Sequence, residues 1–133
     1  MKTLALLSLA LLATAAQAQG VRTEKNLSLA LASQLAQASV AACAANGHAV
    51  TATVVDRAGS VRAVARADNA GPQKNPAASN LVLIPDALPP GGRVPVRAGS
   101  DVIGAIGVGG APGGHLDEQC ALAALEQAKG QLQ

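Results

Sequence analysis

The sequence contains no phenylalanine, tyrosine or tryptophan in its 133 residues. Aromatic side chains supply much of the buried area of most cores, so this core has to be built from alanine, valine, leucine and isoleucine. The same absence removes the rings on which nucleobases stack. Ten basic and eight acidic residues give a formal net charge of +2, which is small for a nucleic-acid-binding surface. The composition therefore predicts that nucleic acid is not a partner.

Histidine and cysteine are also scarce, with two of each, and this limits the catalytic and metal chemistry of the chain. His48, His115, Cys43 and Cys120 are too scattered to match a zinc motif. No serine lies in a nucleophile elbow that could complete a catalytic triad. We therefore assign no catalytic residue. Either histidine could donate its imidazole to a metal, and the alternative for each is an exposed loop residue without a ligand.

The N-terminus predicts export. Lys2 precedes an apolar stretch that ends in small residues, and residues 16–18 (Ala-Gln-Ala) fit the A-x-A rule of signal-peptide cleavage. Residues 1–18 are therefore predicted to be a signal peptide, and the protein is expected to be periplasmic or secreted. The apolar stretch is short for a bilayer span, so we expect no stable anchor after cleavage, with a retained anchor as the alternative. The mature chain, residues 19–133, would be one small domain with a formal charge of +1 because Lys2 is lost.

The first half of the mature chain predicts a helix and a hairpin. Residues 19–26 are polar and are expected to form a flexible lead-in. Apolar residues recur at helical spacing from Leu29 to Ala45, after Ser28 as the N-cap and before a glycine that ends the helix. Strands at about 50–55 and 61–66 flank a turn that contains Gly59.

The second half of the chain predicts a second hairpin and a final helix. Residues 68–80 are polar and rich in turn formers, and 81–84 is a short apolar run. Strands at 94–96 and 102–108 frame a turn at Ala98-Gly99-Ser100, and the last helix is expected from about Leu116 to Lys129.

The turn between the last strand and the last helix is the best candidate for a binding site. Backbone N–H groups in such a turn, at a helix N-terminus, can bind a carboxylate or phosphate. The dinucleotide fingerprint fails because Pro112 takes the place of a glycine, and the P-loop fails because His115 stands where lysine is required. We therefore predict a small anionic ligand other than a nucleotide, and a turn that only packs is the alternative. The candidate ligand-binding residues are His115, Gly109, Gly110, Gly113 and Gly114.

Three sequence segments carry a resemblance to a known family: VVDRAG at 54–59, GG-V-PV at 91–96, and IGAIGVGGA at 103–111 followed by DEQCA. They resemble the GlcG/HbpS family of haem-binding proteins, to which the C-terminal domain of PduO-type corrinoid adenosyltransferases is related. The resemblance covers nearly all of residues 27–130. It implies an α+β, profilin-like fold, in which a five-stranded antiparallel sheet carries the N- and C-terminal helices, as a single domain over 27–133. It also implies haem as a possible cofactor and membership of a family that is often oligomeric.

One departure from the family pattern bears on assembly. Arg66-Ala67-Asp68-Asn69-Ala70-Gly71-Pro72 runs directly into residues 73–76, where family members continue with a central helix, so the resemblance implies a shortened member. Loss of that helix would expose sheet surface, and we therefore expect a homo-oligomer. The function implied is an exported haem-binding or haem-handling protein. The alternatives are a non-catalytic oligomerising module, a truncated copy without function, and an enzyme acting on haem or another small anionic cofactor.

The resemblance also leads to two predictions about individual residues. His115 is favoured over His48 as the ligand of haem iron, because the glycines around it permit close approach. Cys43 and Cys120 are predicted to form a disulfide, because an exported chain meets an oxidising compartment and the two helices that carry them can lie side by side in a profilin-like arrangement. Two separately buried thiols are the alternative.

Overall fold

The computed structural model describes residues 22–70 and 91–133, which form a four-stranded antiparallel sheet with two helices packed on one face. This confirms the predicted α+β class with N- and C-terminal helices on the sheet. The predicted signal peptide and the apolar run at 81–84 lie outside the described residues. The strands are hydrogen-bonded in the order β2-β1-β4-β3. The elements are α1 (Leu29–Ala45), β1 (Thr51–Asp56), β2 (Val61–Arg66), β3 (Gly92–Ala98), β4 (Asp101–Gly109) and α2 (Gly114–Gln127), followed by a short 3₁₀ turn (Lys129–Gln131).

Helix α1 has the bounds that the sequence predicts, because both of its ends carry local signals. The Ser28 hydroxyl accepts a hydrogen bond from the Leu31 amide at 3.2 Å, and Gly47 follows the helix at a φ of +79°. Ala32 and Ala36 are fully buried against the sheet. Their small side chains let the helix axis approach the strands closely, which offsets the absence of aromatic side chains in the core.

Two tight turns build the sheet from hairpins. In the β1–β2 turn the Asp56 carboxylate accepts hydrogen bonds from the amides of Ala58 and Ser60, and Gly59 adopts a φ of +82°. In the β3–β4 turn Gly99 takes a φ of +62°. Both predicted turns are confirmed, with the glycine in the left-handed region in each case.

The register of the sheet divides the side chains cleanly between two faces. One row of paired residues, Ala63, Val54, Ile106 and Val94, faces the helices and forms the core. The neighbouring row, Val64, Thr53, Gly107 and Arg93, faces the other side. Side chains alternate between faces along a strand, so this register fixes the face of every other paired strand residue; Arg62 and Ile103, the extra residues at the two bulges, are unpaired.

A disulfide joins the two helices. Cys43, near the C-terminal end of α1, is bonded to Cys120 in α2, with a Cα–Cα distance of 5.3 Å. Both cysteines are buried. The predicted pairing is therefore confirmed, and it fixes the end of α1 beside the first turns of α2.

The segment before α1 contacts the β1–β2 turn. The Asn26 side chain accepts a hydrogen bond from the Arg57 amide at 3.2 Å, and Arg57 forms an ion pair with Glu24 at 3.6 Å. Leu27 is only 3% exposed and lies over Gly104 of β4. Within residues 22–70 and 91–133, no helix is long and apolar enough to cross a membrane.

Candidate functional site

The predicted binding turn lies at one end of the sheet, where β4 leads into α2. Gly109 is the last residue of β4 and pairs with Thr51 of β1. Gly110 adopts a φ of +139°, and a Cβ atom there would lie 2.6 Å from the Ala49 carbonyl oxygen. Position 110 therefore has to be glycine on two independent grounds, its backbone conformation and the close approach of the chain before β1.

The N-terminus of α2 packs directly against the start of β3. A Cβ atom at Gly92 would overlap the backbone of Glu118. Gly113 is the N-cap of α2 and provides no side-chain hydrogen bond, and Gly114 is the first residue of the helix. The amides at the start of a helix have no partner within the helix, so the amides at 114 and 115 remain potential donors to an anion.

Asp117 is the main polar group inside this end of the domain. It is 1% exposed, and its Oδ1 atom accepts a hydrogen bond from the Ala111 amide at 3.0 Å. Its Oδ2 atom has no hydrogen-bond partner among the described residues. Burial raises the pKa of Asp117 above its ordinary value, and the Ala111 amide, the charge of His48 and the Gly110 amide oppose that rise. The carboxyl group thus joins the glycine turn to the first turn of α2.

This carboxyl group changes the interpretation of the turn. An aspartate in the first turn of a helix commonly does no more than place negative charge at the helix N-terminus, whereas the structure buries Asp117 under the turn. A signal was present: the cap residue Gly113 has no side chain that could bind an amide of the turn, and Asp117 in the first turn of the helix carries a carboxylate that does so. Because the chain's own carboxylate occupies that donor, an external anion would bind the amides at 114 and 115.

The two histidines occupy different environments. His48 is half-buried at the entry to β1, where its amide donates to the Cys43 carbonyl at 3.0 Å and its ring is close enough to Asp117 to influence the pKa of that carboxyl group. His115 is exposed on the first turn of α2. Its Cε1 atom would lie 2.8 Å from a Cβ atom at Gly113, so the ring lies in space left by the missing side chain.

No set of protein ligands for a bare metal ion is assembled in the part of the chain that the structure describes. No group of three or more histidine, cysteine, aspartate or glutamate side chains comes together within residues 22–70 and 91–133. Both cysteines are in the disulfide. A haem iron differs from a bare ion because the porphyrin already supplies four nitrogens, so one imidazole from the protein is enough to bind it.

The chain matches a family model described as haem degrading protein HbpS-like over residues 27–80 and 73–126. Two crystal structures of HbpS are similar to it, one of them a doubly substituted form from Streptomyces reticuli. The first shares 31% identity and the match covers 85% of this chain and 97% of that one. The substituted form shares 32% identity, with 85% of this chain and 94% of that one covered. Each has a TM-score of 0.68. Klebsiella pneumoniae protein ORFY is similar at 26% identity, with 81% of this chain and 94% of that chain covered and a TM-score of 0.63.

A crystal structure of a PduOC–haem complex shares the fold at 18% identity, with a TM-score of 0.59 and coverage of 77% of this chain and 94% of that one. No curated protein matches the chain.

Proposed function

Because the chain belongs to the HbpS-like family of haem degrading proteins, we propose that it is an exported protein that binds and handles haem. The observation that carries the proposal is the family match, which spans most of the predicted mature chain and agrees with the similarity to HbpS. The predicted signal peptide at residues 1–18 supports export. The disulfide is consistent with an oxidising compartment.

The residues at the start of α2 fit haem. His115 is exposed beside a glycine and could bring an imidazole nitrogen to the iron. The neighbouring amides at 114 and 115 have no side-chain cap and could donate to a propionate carboxylate at the positive end of the helix. When bound, haem would supply an iron centre capable of redox and oxygen chemistry.

Absorption titration tests this proposal. Haem is added to mature protein (residues 19–133), and we expect a saturable shift of the Soret band. His115→Ala should weaken binding roughly tenfold or more, about 1.4 kcal/mol. His48→Ala is the matched control and should have a smaller effect, because His48 is half-buried at the entry to β1.

Two results count against this proposal in different ways. A flat titration of the wild-type chain contradicts haem binding itself. Saturable binding that neither histidine substitution alters contradicts the choice of His115 as the iron ligand and leaves haem binding in place. Circular dichroism of each variant checks that it is folded.

The family description gives a second candidate function, the degradation of haem. The measurement is loss of the Soret band after addition of a reductant in air. Faster loss with protein than with the same haem bound to serum albumin would support turnover, and equal rates would support binding alone.

A further inference from the structure

The face of the sheet opposite the helices carries a second pattern, separate from the turn before α2. Both helices pack on the face formed by Val54, Ile106 and their neighbours, and no described helix packs on the other face. On that other face, which we call the outer face, Val64 and Val61 of β2 are 58% and 62% exposed. Pro95 of β3 is also exposed there. Exposed apolar side chains grouped on one face are a common mark of a binding surface.

Small side chains separate these apolar groups. By the sheet register, Thr53, Ala105 and Gly107 on the two central strands lie between the valines of β2 and Pro95 of β3. Strands are spaced about 4.8 Å apart, so the two edge strands lie roughly 14 Å from each other. The outer face therefore has small residues in the middle, of which Thr53 is only 8% exposed, and larger, exposed residues along both edges.

Positive charge lines both edges of this surface. Arg66 on β2 pairs with Thr51, and Arg93 and Arg97 on β3 pair with Gly107 and Val102, and this register places all three arginines on the outer face. None of the three forms an ion pair within residues 22–70 and 91–133, although the Arg66 guanidinium donates to the Ala70 carbonyl and Arg97 Nη1 donates to the Ser100 carbonyl at 3.4 Å. The basic residues that do form an ion pair there are Arg22, Lys25, Arg57 and Lys129.

No acidic side chain on the described strands balances these arginines. The strands carry two acidic residues, Asp56 and Asp101. Asp56 accepts hydrogen bonds from turn amides, and Asp101 forms an ion pair with Lys25 at 3.9 Å. The outer face thus combines exposed apolar area with positive charge on two opposite edges.

We propose that the outer face binds a flat, apolar molecule with carboxylates at its periphery, the chemistry of a porphyrin. The choice of porphyrin rests on the proposed haem function, whereas the binding surface rests on the sheet itself. Exposed valine and proline would contact the apolar ring, and guanidinium groups are well suited to carboxylates.

This surface is distinct from His115, because His115 belongs to α2 on the opposite face of the sheet. The described outer face has no histidine, so it would hold the ring without an iron ligand. Metal-free protoporphyrin IX is therefore the right probe. It should bind the outer face through its ring and its carboxylates alone, and its binding should not depend on His115.

The test measures protoporphyrin IX fluorescence and the haem Soret band with mature protein at about 0.15 M salt. The triple variant R66Q/R93Q/R97Q should bind protoporphyrin roughly tenfold more weakly and with less dependence on salt. The control R22Q/K25Q/K129Q removes the same charge elsewhere and should stay within about twofold of the wild type.

A second pair of variants tests the apolar part without removing an arginine. Val64→Glu introduces an acidic group on the outer face, and Leu122→Glu does the same at a similarly exposed position of α2. The first should reduce protoporphyrin binding at least fivefold, and the second should leave it unchanged.

The outcomes separate this proposal from the proposed function. Haem binding that depends on His115, with no protoporphyrin binding, overturns the outer-face proposal and leaves the haem function intact. Protoporphyrin binding that survives both outer-face variants also overturns it, as does a dimer that Val64→Glu dissociates without changing porphyrin binding. Protoporphyrin binding that both variants weaken supports the surface, even if haem iron shows no coordination.

Discussion

Reduction of the Cys43–Cys120 disulfide should destabilise the domain more than any single substitution on its surface. The bridge joins the end of α1 to the start of α2, and both sulfur-bearing side chains are buried between the helices and the sheet. Since the core lacks aromatic side chains, much of the constraint on this helix pair comes from the bridge. Small domains commonly depend on such links.

The magnitude follows from the length of chain that the bridge closes. The two cysteines are 77 residues apart, which in the chain-entropy model corresponds to about 4.5 kcal/mol at 25 °C. For a domain of this size, a loss of that amount should lower the melting temperature by more than about 10 °C.

Urea unfolding followed by circular dichroism, with and without a phosphine reductant, measures this contribution. The reduced wild-type chain retains every side chain, so the comparison isolates the cross-link. The double variant Cys43→Ala/Cys120→Ala should unfold near the reduced midpoint and should not respond to the reductant. Free energies of unfolding for oxidised and reduced wild type that agree within about 0.5 kcal/mol would refute this expectation.

Four further expectations concern the core and the assembly. Asp117→Asn should keep the bond to the Ala111 amide, whereas Asp117→Ala should cost about 1–3 kcal/mol in urea unfolding because that buried amide loses its acceptor. Burial raises the pKa of Asp117 in the folded protein, so the folded state holds its proton to a higher pH than the unfolded state does. The free energy of unfolding of the wild type should therefore fall, relative to that of Asp117→Asn, as the pH rises from the ordinary carboxyl pKa to the raised one. Equal pH dependence of the two proteins would contradict this. Gly104→Ala should cost about 1–3 kcal/mol, since its Cβ atom would overlap Leu27 and a strand carbonyl, whereas Gly130→Ala meets nothing and should be neutral; similar midpoints for the two would argue against the packing. Light scattering should give a multiple of the protomer mass, and a stable monomer at micromolar concentration would rule out the predicted homo-oligomer.

Local signals explain which parts of the fold were predictable. Ser28 and Gly47 delimit α1, and Gly59 and Gly99 mark the two hairpin turns, so these elements agree with the structure. The bounds of the other elements differ by a few residues. Strand β3 begins at Gly92 rather than at 94, because Gly92 pairs with Val108, and no local pattern reports such pairing.

Features that depend on tertiary contacts were harder to read from the sequence. Helix α2 starts at 114 instead of 116, because its N-cap is Gly113, which has no side chain and therefore lacks the usual sequence signal of a helix N-terminus. The burial of Asp117 depends on the fold of the glycine turn over the helix. The alternation of Arg93 and Arg97 with buried valines is visible in the sequence, but only the register of the sheet places Arg66 on the same face. The predicted loss of a central helix stays a prediction.

Native mass spectrometry of protein purified from the periplasm after expression of the full chain with its own N-terminus tests the central claim most directly. The account predicts a polypeptide that begins at Gln19, has a mass two hydrogens below the reduced value, and carries a haem-mass adduct that is lost on denaturation. A processed, folded chain that remains free of haem in haem-supplemented culture, and takes up none when haem is added before the measurement, would contradict it.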